Sequence, residues 1–134
     1  MPVLSFRHDR RQIIVRVAIV SPDDVTRLVV ADGLIDTGAS VSGIARSIAD
    51  QLGLPMVGKR LIATPSGERM SRFFEARMGF FPDGAQQSLP YVIEGNLTVL
   101  GMETGSRFAV LIGMDVLGQR ELIMRGDATG GFIF

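Results

Sequence analysis

The residues Leu34-Ile35-Asp36-Thr37-Gly38-Ala39-Ser40 run from two bulky apolar side chains straight into an acidic residue, a small hydroxyl residue and a glycine. A run ending this way predicts a buried strand that stops abruptly and points a carboxylate out of its end. With usages of roughly 5–7% per residue type, Asp-Thr-Gly alone is expected about 0.03 times in a chain of this length. The apolar lead-in and the Ala39-Ser40 that follow cut that chance further.

Around this stretch the chain supplies 134 residues, which predicts a single domain over residues 1–134 with a core of useful size. Its 14 basic and 14 acidic residues cancel, so the strongly basic surface that neutralises phosphates is missing, and no nucleic-acid partner is expected. A hydrophobic content of 46% fits a globular chain. With no cysteine there is no thiol nucleophile, no disulfide framework and no cysteine-based zinc site. No segment approaches the ~20 apolar residues of a membrane span. Arg7, Arg10 and Arg11 precede an apolar run, but Arg16 interrupts that run and no small-residue cleavage site follows. The expectation is a strand there, a solvated arginine arm before it, and a cytoplasmic protein.

Taken in order, Gln12 to Val20 is β-branched and ends at Ser21-Pro22-Asp23-Asp24, a turn signal. Thr26 to Val30 resumes as strand, and Ala31-Asp32-Gly33 is expected to break it before the short strand that delivers Asp36. Ser42 is expected to cap a helix from about Gly43 to Leu52, with Ile44, Ile48 and Leu52 on one face and Gly53 and Pro55 as its stop. Lys59 to Phe81 predicts a long hairpin with its tip at Thr64-Pro65-Ser66-Gly67. Pro82-Asp83-Gly84 is a turn, Gln86-Gln87-Ser88 a loop, and Leu89 to Leu100 strand broken at Gly95-Asn96. Phe108 to Ile112 is a second apolar run ending in Gly113, and Met114 to Leu117 a short helical turn. Glu121 to Arg125 and Gly131 to Phe134 flank an Asp127-Ala128-Thr129-Gly130 turn. Many short strands with one clear helix predict a small, closed, mostly antiparallel β barrel. His8, the only histidine, is expected to be exposed, and a lone histidine cannot assemble a metal site unaided.

These parts resemble the retropepsin-like aspartic proteases, the retroviral type with a single Asp-Thr-Gly per chain, in its bacterial and cellular branch. Leu34 to Ser40 resembles the active-site loop. Ile112-Gly113 with Met114 to Leu117 is similar to the glycine turn and short helix beside that loop. Thr64 to Gly67 lies where the family places its flap. The sequence departs from the viral pattern in having a single glycine, Gly67, at that tip, Met114 after the glycine turn and Ser40 in place of an acidic residue.

The resemblance implies the acid-protease fold, one lobe per chain, and an aspartic endopeptidase that needs no cofactor and no metal. Peptide hydrolysis by this route uses two carboxylates about 3 Å apart that share one proton, one activating water while the other donates to the substrate. The chain contains one Asp-Thr-Gly, and Gly113-Met114-Asp115 does not supply a second. The second carboxylate is therefore expected to be Asp36 of a second copy, in a two-fold symmetric homodimer. Asp36 would be the general base and acid, Thr37 would bond across the axis, and Gly38 would let backbone pass close by. Ala39 and Ser40 would touch the main chain of a peptide or protein substrate, and Thr64, Pro65, Ser66 and Gly67 would close over it. The Gly131 to Phe134 end would pair with the partner's ends. The alternative is a dimerisation or peptide-binding module that keeps the fold without turnover.

Overall fold

The computed structural model describes residues 1–84, 89–103 and 107–134, apart from the Thr64 side chain. Along these the chain runs β1 (Val3–Arg7), β2 (Ile14–Val20), β3 (Leu28–Ile35), β4 (Gly43–Ala45), α1 (Arg46–Leu52), β5 (Met56–Thr64) and β6 (Gly67–Phe80). It continues through β7 (Tyr91–Val92), β8 (Leu97–Met102), β9 (Val110–Ile112), α2 (Met114–Leu117), β10 (Glu121–Met124) and β11 (Thr129–Ile133). The Gln86-Gln87-Ser88 loop lies outside the described residues. No helix among the described residues is long and apolar enough to cross a membrane.

The protein is mostly β, and its strands form a ring. In the larger sheet β2, β3, β9, β4, β8 and β6 are bonded in that order, and β6 returns to β2. Every second side chain of β6 (Phe74, Ala76, Met78, Phe80) turns inward, as the two-residue period of a strand requires. These meet Val15, Val17 and Ile19 of β2, Ile44, Val99, Val110 and Ile112 in one core. The β2 run is continuous rather than alternating because its other face is buried too, with Ala18 and Val20 against Phe81.

Two pairings in the ring are parallel, β3 with β9 and β4 with β8. Strand β9 lies between β3 and β4, the strands that enter and leave the Asp36 loop, and both run against it for only two or three residues. Val110 and Ile112 have no exposed surface. Burying side chains of this size contributes about 1.5–3 kcal/mol each, which pins the short crossing in place.

Five expectations are corrected. Ala31-Asp32-Gly33 does not interrupt the strand, since β3 pairs with β2 without a break from Leu28 to Leu34. A Cβ on Gly33 would lie 2.9 Å from Val17 Cγ1 and 3.1 Å from Ile112 Cδ1, so this glycine serves close packing rather than a turn. The helix begins at Arg46, because Gly43–Ala45 is drawn into the sheet between β8 and β9; Ala45 precedes it and no side chain caps it.

The arginine arm is a structured segment. Val3–Arg7 forms β1 and pairs with β11, and Arg10 reaches the Gly126 carbonyl at 3.3 Å. His8 is half-buried, its Nε2 donating to the Arg125 carbonyl at 3.1 Å while its Nδ1 accepts from the Arg10 N–H at 3.0 Å. Finally, the C-terminal end is already covered. Strand β11 is paired on one edge with β1 and on the other with β10. Phe132 is fully buried, stacked at 5.2 Å on Phe134 and edge-on to Phe80 at 5.0 Å. No partner is needed to hide these rings.

The hairpin lies as expected and extends further than expected, pairing from Met56↔Phe74 to Thr64↔Gly67 with a bulge near Val57. Strand β6 gains its second neighbour, β8, only from Phe73 onward. Nearer the tip the hairpin is a two-stranded ribbon.

Candidate active site

Asp36 is the first residue after β3, and the sheet aims it. Its N–H donates to the Ile112 carbonyl of β9 at 2.9 Å, continuing the parallel ladder by one step beyond Ile35. The chain then folds back tightly. Asp36 Oδ1 accepts the Gly38 N–H at 2.9 Å, and the Asp36 carbonyl accepts the Ala39 N–H at 3.2 Å. This is the turn that an aspartate followed two residues on by a small residue is suited to make. A Cβ on Gly38 would sit 3.2 Å from Oδ1, so the turn leaves little room there. One carboxylate oxygen is thus fixed, and Oδ2 has no hydrogen-bond partner among the described residues.

Behind the turn stands a second layer of bonds. The Ala39 carbonyl accepts the Met114 N–H at 2.7 Å, locking the loop to the start of α2. Ser42, fully buried, accepts the Gly113 N–H at 2.9 Å through its hydroxyl and donates that hydroxyl to Asp115 Oδ1 at 2.7 Å. The Ser42 N–H reaches Asp115 Oδ2 at 3.0 Å, and the Val116 N–H reaches Oδ1 at 2.9 Å. A hydroxyl with no exposure must find partners within the fold, and here it finds one of each kind. Gly113 is required by the same crossing, since a Cβ there would lie 2.8 Å from the Ala39 carbonyl oxygen and 2.9 Å from the Val41 carbonyl carbon.

The two carboxylates of this region therefore differ in what they can do. Asp115 is engaged by three donors and faces into the support of the loop. Asp36 is half-buried with one oxygen open, so it can accept a proton from a water or return one. Within one chain there is a single such group at this position.

The sequence-derived site residues sort accordingly. Asp36, Gly38 and Ala39 fall in the bonded cluster; Thr37 and Ser40 are exposed on the same loop, and Ala39 is half-buried. Thr64, Pro65, Ser66 and Gly67 form the tip of the β5–β6 hairpin, where Pro65, Ser66 and Gly67 are exposed and Gly67 has φ of 116°. That tip contributes none of the hydrogen bonds just described. Ser42 and Asp115 are functional residues whose pairing the sequence does not announce: Ser42 reads as a helix cap and Asp115 as a carboxylate without a following Thr-Gly, whereas the fold bonds them to each other. No group of three or more His, Cys, Asp or Glu side chains among the described residues is placed to hold a metal ion.

No family model matches the sequence, and no curated protein matches it. Among solved structures, the chain is similar to the crystal structure of a retropepsin-like aspartic protease from Rickettsia conorii, with a TM-score of 0.56. The likeness covers 97% of this chain and 89% of that one at 15% sequence identity. It shows that the two chains share a fold.

Proposed function

We propose that the chain, one domain over residues 1–134, is an aspartic endopeptidase that works as a symmetric homodimer. The observation that carries this reading is the Asp36 carboxylate, held at the end of β3 by the Gly38 N–H with its second oxygen open. The single Asp-Thr-Gly per chain supports a two-fold site in which Asp36 of each copy supplies one of two carboxylates. Two carboxylates so close cannot both ionise; the charged one takes a proton from the attacking water while the protonated one hydrogen-bonds the scissile carbonyl. The proton then passes to the leaving amine.

The remaining roles follow from position. Thr37, exposed beside Asp36, is placed by this reading to bond across the axis and hold the two loops in register. Gly38 orients the carboxylate through its N–H. Ala39 and Ser40 flank the cleft and would hydrogen-bond the main chain of an extended peptide. Thr64 to Gly67 would fold over that peptide and exclude water from the dyad. The substrate class is peptide or protein in extended form, without cofactor, and the cytoplasm is the expected location.

The test is cleavage of an unstructured protein such as casein from about pH 3 to about pH 8 across a series of enzyme concentrations. Activity should rise faster than linearly with protein while the dimer is only partly formed. Asp36→Asn should lower it by about 10²–10⁴-fold while leaving the fold and the dimer intact. Cleavage that survives that substitution would sink the mechanism.

A further inference from the structure

Between Phe73 and its tip the β5–β6 ribbon stands outside the ring, and strand alternation fixes which face is which. Phe74, Ala76, Met78 and Phe80 of β6 point into the core, so Met70 and Arg72 point to the same side, beyond the barrel wall. Opposite residues of paired strands share a face; Leu61 stands opposite Met70, and Lys59 opposite Arg72. The outer face of the ribbon has cover of its own. Phe73 and Ser71 are buried there, and the Arg60 guanidinium lies 5.1 Å over the Phe73 ring. On the inner face Lys59, Leu61 and Met70 are all exposed.

The Lys59–Arg72 pair is the anomaly of that inner face. Two cations directly opposite each other in a ladder have Cβ atoms about 4.5–5.5 Å apart and repel. Neither is neutralised among the described residues, where the one ion pair is Arg46–Glu103 at 3.9 Å. Glu68 is the single carboxylate between Met56 and Phe74. It stands opposite Ala63, two pairs nearer the tip and roughly 13 Å from Arg72 along the strand. With Arg60 and Arg69 on the outer face, the ribbon carries four cations against one carboxylate, in a chain whose formal net charge is zero. Positive charge is concentrated here, and its closest pair lies on the side without cover.

We infer that Lys59 and Arg72 select an acidic side chain in the substrate. This rests on the endopeptidase reading above and adds the class of peptide it takes. Side chains on one face of a strand recur every two residues, about 6.6–6.8 Å, so an extended peptide lying along the ribbon repeats with the ribbon's own period. A residue packed on Leu61 and Met70 therefore sets the residue two positions further from the tip beside Lys59 and Arg72. An apolar side chain suits the first place. A carboxylate suits the second, where it accepts from both cations and cancels the repulsion between them.

The apolar pair beside the cations favours a peptide over a polyanion, which would lay charge across Leu61 and Met70 and leave them uncovered. Position then sets where the acid falls. The endopeptidase reading puts the hairpin tip over the Asp36 dyad, so the acidic residue lies outward of the apolar one, away from the scissile bond. In a two-fold dimer each ribbon acts on its own side of the site, so Asp or Glu is favoured on both flanks of the cut.

The experiment is cleavage of a synthetic library of short unstructured peptides by the full chain near about pH 6, with cut sites read by mass spectrometry. Wild type should cut peptides with Glu two residues outward of a flanking apolar residue about threefold to tenfold faster than the same peptides with Gln there. That ratio should shrink in high salt, and again below about pH 4, where the peptide carboxylate is protonated. Replacing both cations, Lys59→Gln with Arg72→Gln, should bring the Glu and Gln peptides to one rate. Lys59→Glu with Arg72→Glu should turn the preference to Lys. Circular dichroism checks that each variant folds, and Lys59→Gln alone, at an exposed residue, should still lower the ratio if a double variant does not. Equal wild-type rates for Glu and Gln peptides, a ratio unmoved by removing the cations, or an acid that helps equally at every peptide position overturns the assignment and leaves the endopeptidase standing. Wild type that cuts no library member overturns the endopeptidase, and this inference with it.

Discussion

Ile112 on β9 has no exposed surface, whereas Leu61 near the tip of the β5–β6 hairpin is 59% exposed, and both are large aliphatic residues in strands. Their neighbours make the difference. β9 is flanked by β3 and β4 and covered by the core, and its short run is crossed by hydrogen bonds from the Asp36 loop. Near Leu61 the hairpin is two strands wide, with Met70 directly opposite and 58% exposed. A two-stranded ribbon has marginal stability by itself. The molecule thus joins a firmly bonded seat for one carboxylate to an exposed two-stranded ribbon whose Leu61–Met70 pair has no cover within the described residues. If the tip acts as the proposed cover over the peptide, this difference suits it, since the seat must hold still and the cover must be able to move.

That contrast can be broken first by truncating each side. Ile112→Ala should cost about 2–5 kcal/mol of stability, because a fully buried crossing leaves a cavity that cannot collapse. Leu61→Ala in the same chemical denaturation experiment should change stability by about 0.5 kcal/mol or less. A large loss at Leu61 would mean that the ribbon is buried against something in solution.

Ser42→Ala sharpens the seat. It leaves the buried Gly113 N–H without its partner and removes one of the two donors on Asp115 Oδ1, and should cost about 1–3 kcal/mol. A null result would show that the bonds linking Asp115 and Gly113 do not hold the loop.

The smallest effect concerns acid. The Thr26 hydroxyl and then its N–H hold Asp24 below the ordinary carboxylate value of 3.8, and Thr129 does the same for Asp127. The backbone N–H groups of Arg11 and Gln12 lower Asp9. A depressed folded value means stability that is fully present above the unfolded value and lost as pH falls through the folded one. The three turns should therefore weaken below about pH 3.8 and be unaffected near neutrality. Replacing Asp24 and Asp127 with Asn should flatten the acid limb of a stability–pH profile slightly; an unchanged limb would mean these turns do not contribute.

The seat was largely legible in the sequence and the sheet beside it was not. Leu34 to Ser40 and Phe108 to Gly113 are local apolar runs with abrupt ends, and such patterns survive folding because each strand is buried on its own account. Gly33 reads as a breaker in the sequence because a glycine needed for close packing against Val17 and Ile112 looks the same as one needed for a turn. Ser42 reads as a cap because its partner in the fold, Asp115, lies 73 residues away. Strand β1 is hidden for the same reason: its neighbour β11 is at the other end of the chain, and the arginines at 7, 10 and 11 read as a solvated arm. Non-local pairing leaves no periodic mark.

The account turns on one carboxylate from each of two chains forming one site. Mixing tests this directly: a fixed amount of wild type is titrated with Asp36→Asn, and casein cleavage is followed after the subunits have exchanged. If the site is shared, an excess of about ninefold should lower the rate about tenfold, because few wild-type chains then meet one another. A rate that stays constant however much variant is added, with exchange of labelled subunits confirmed, would show that a single chain carries the activity.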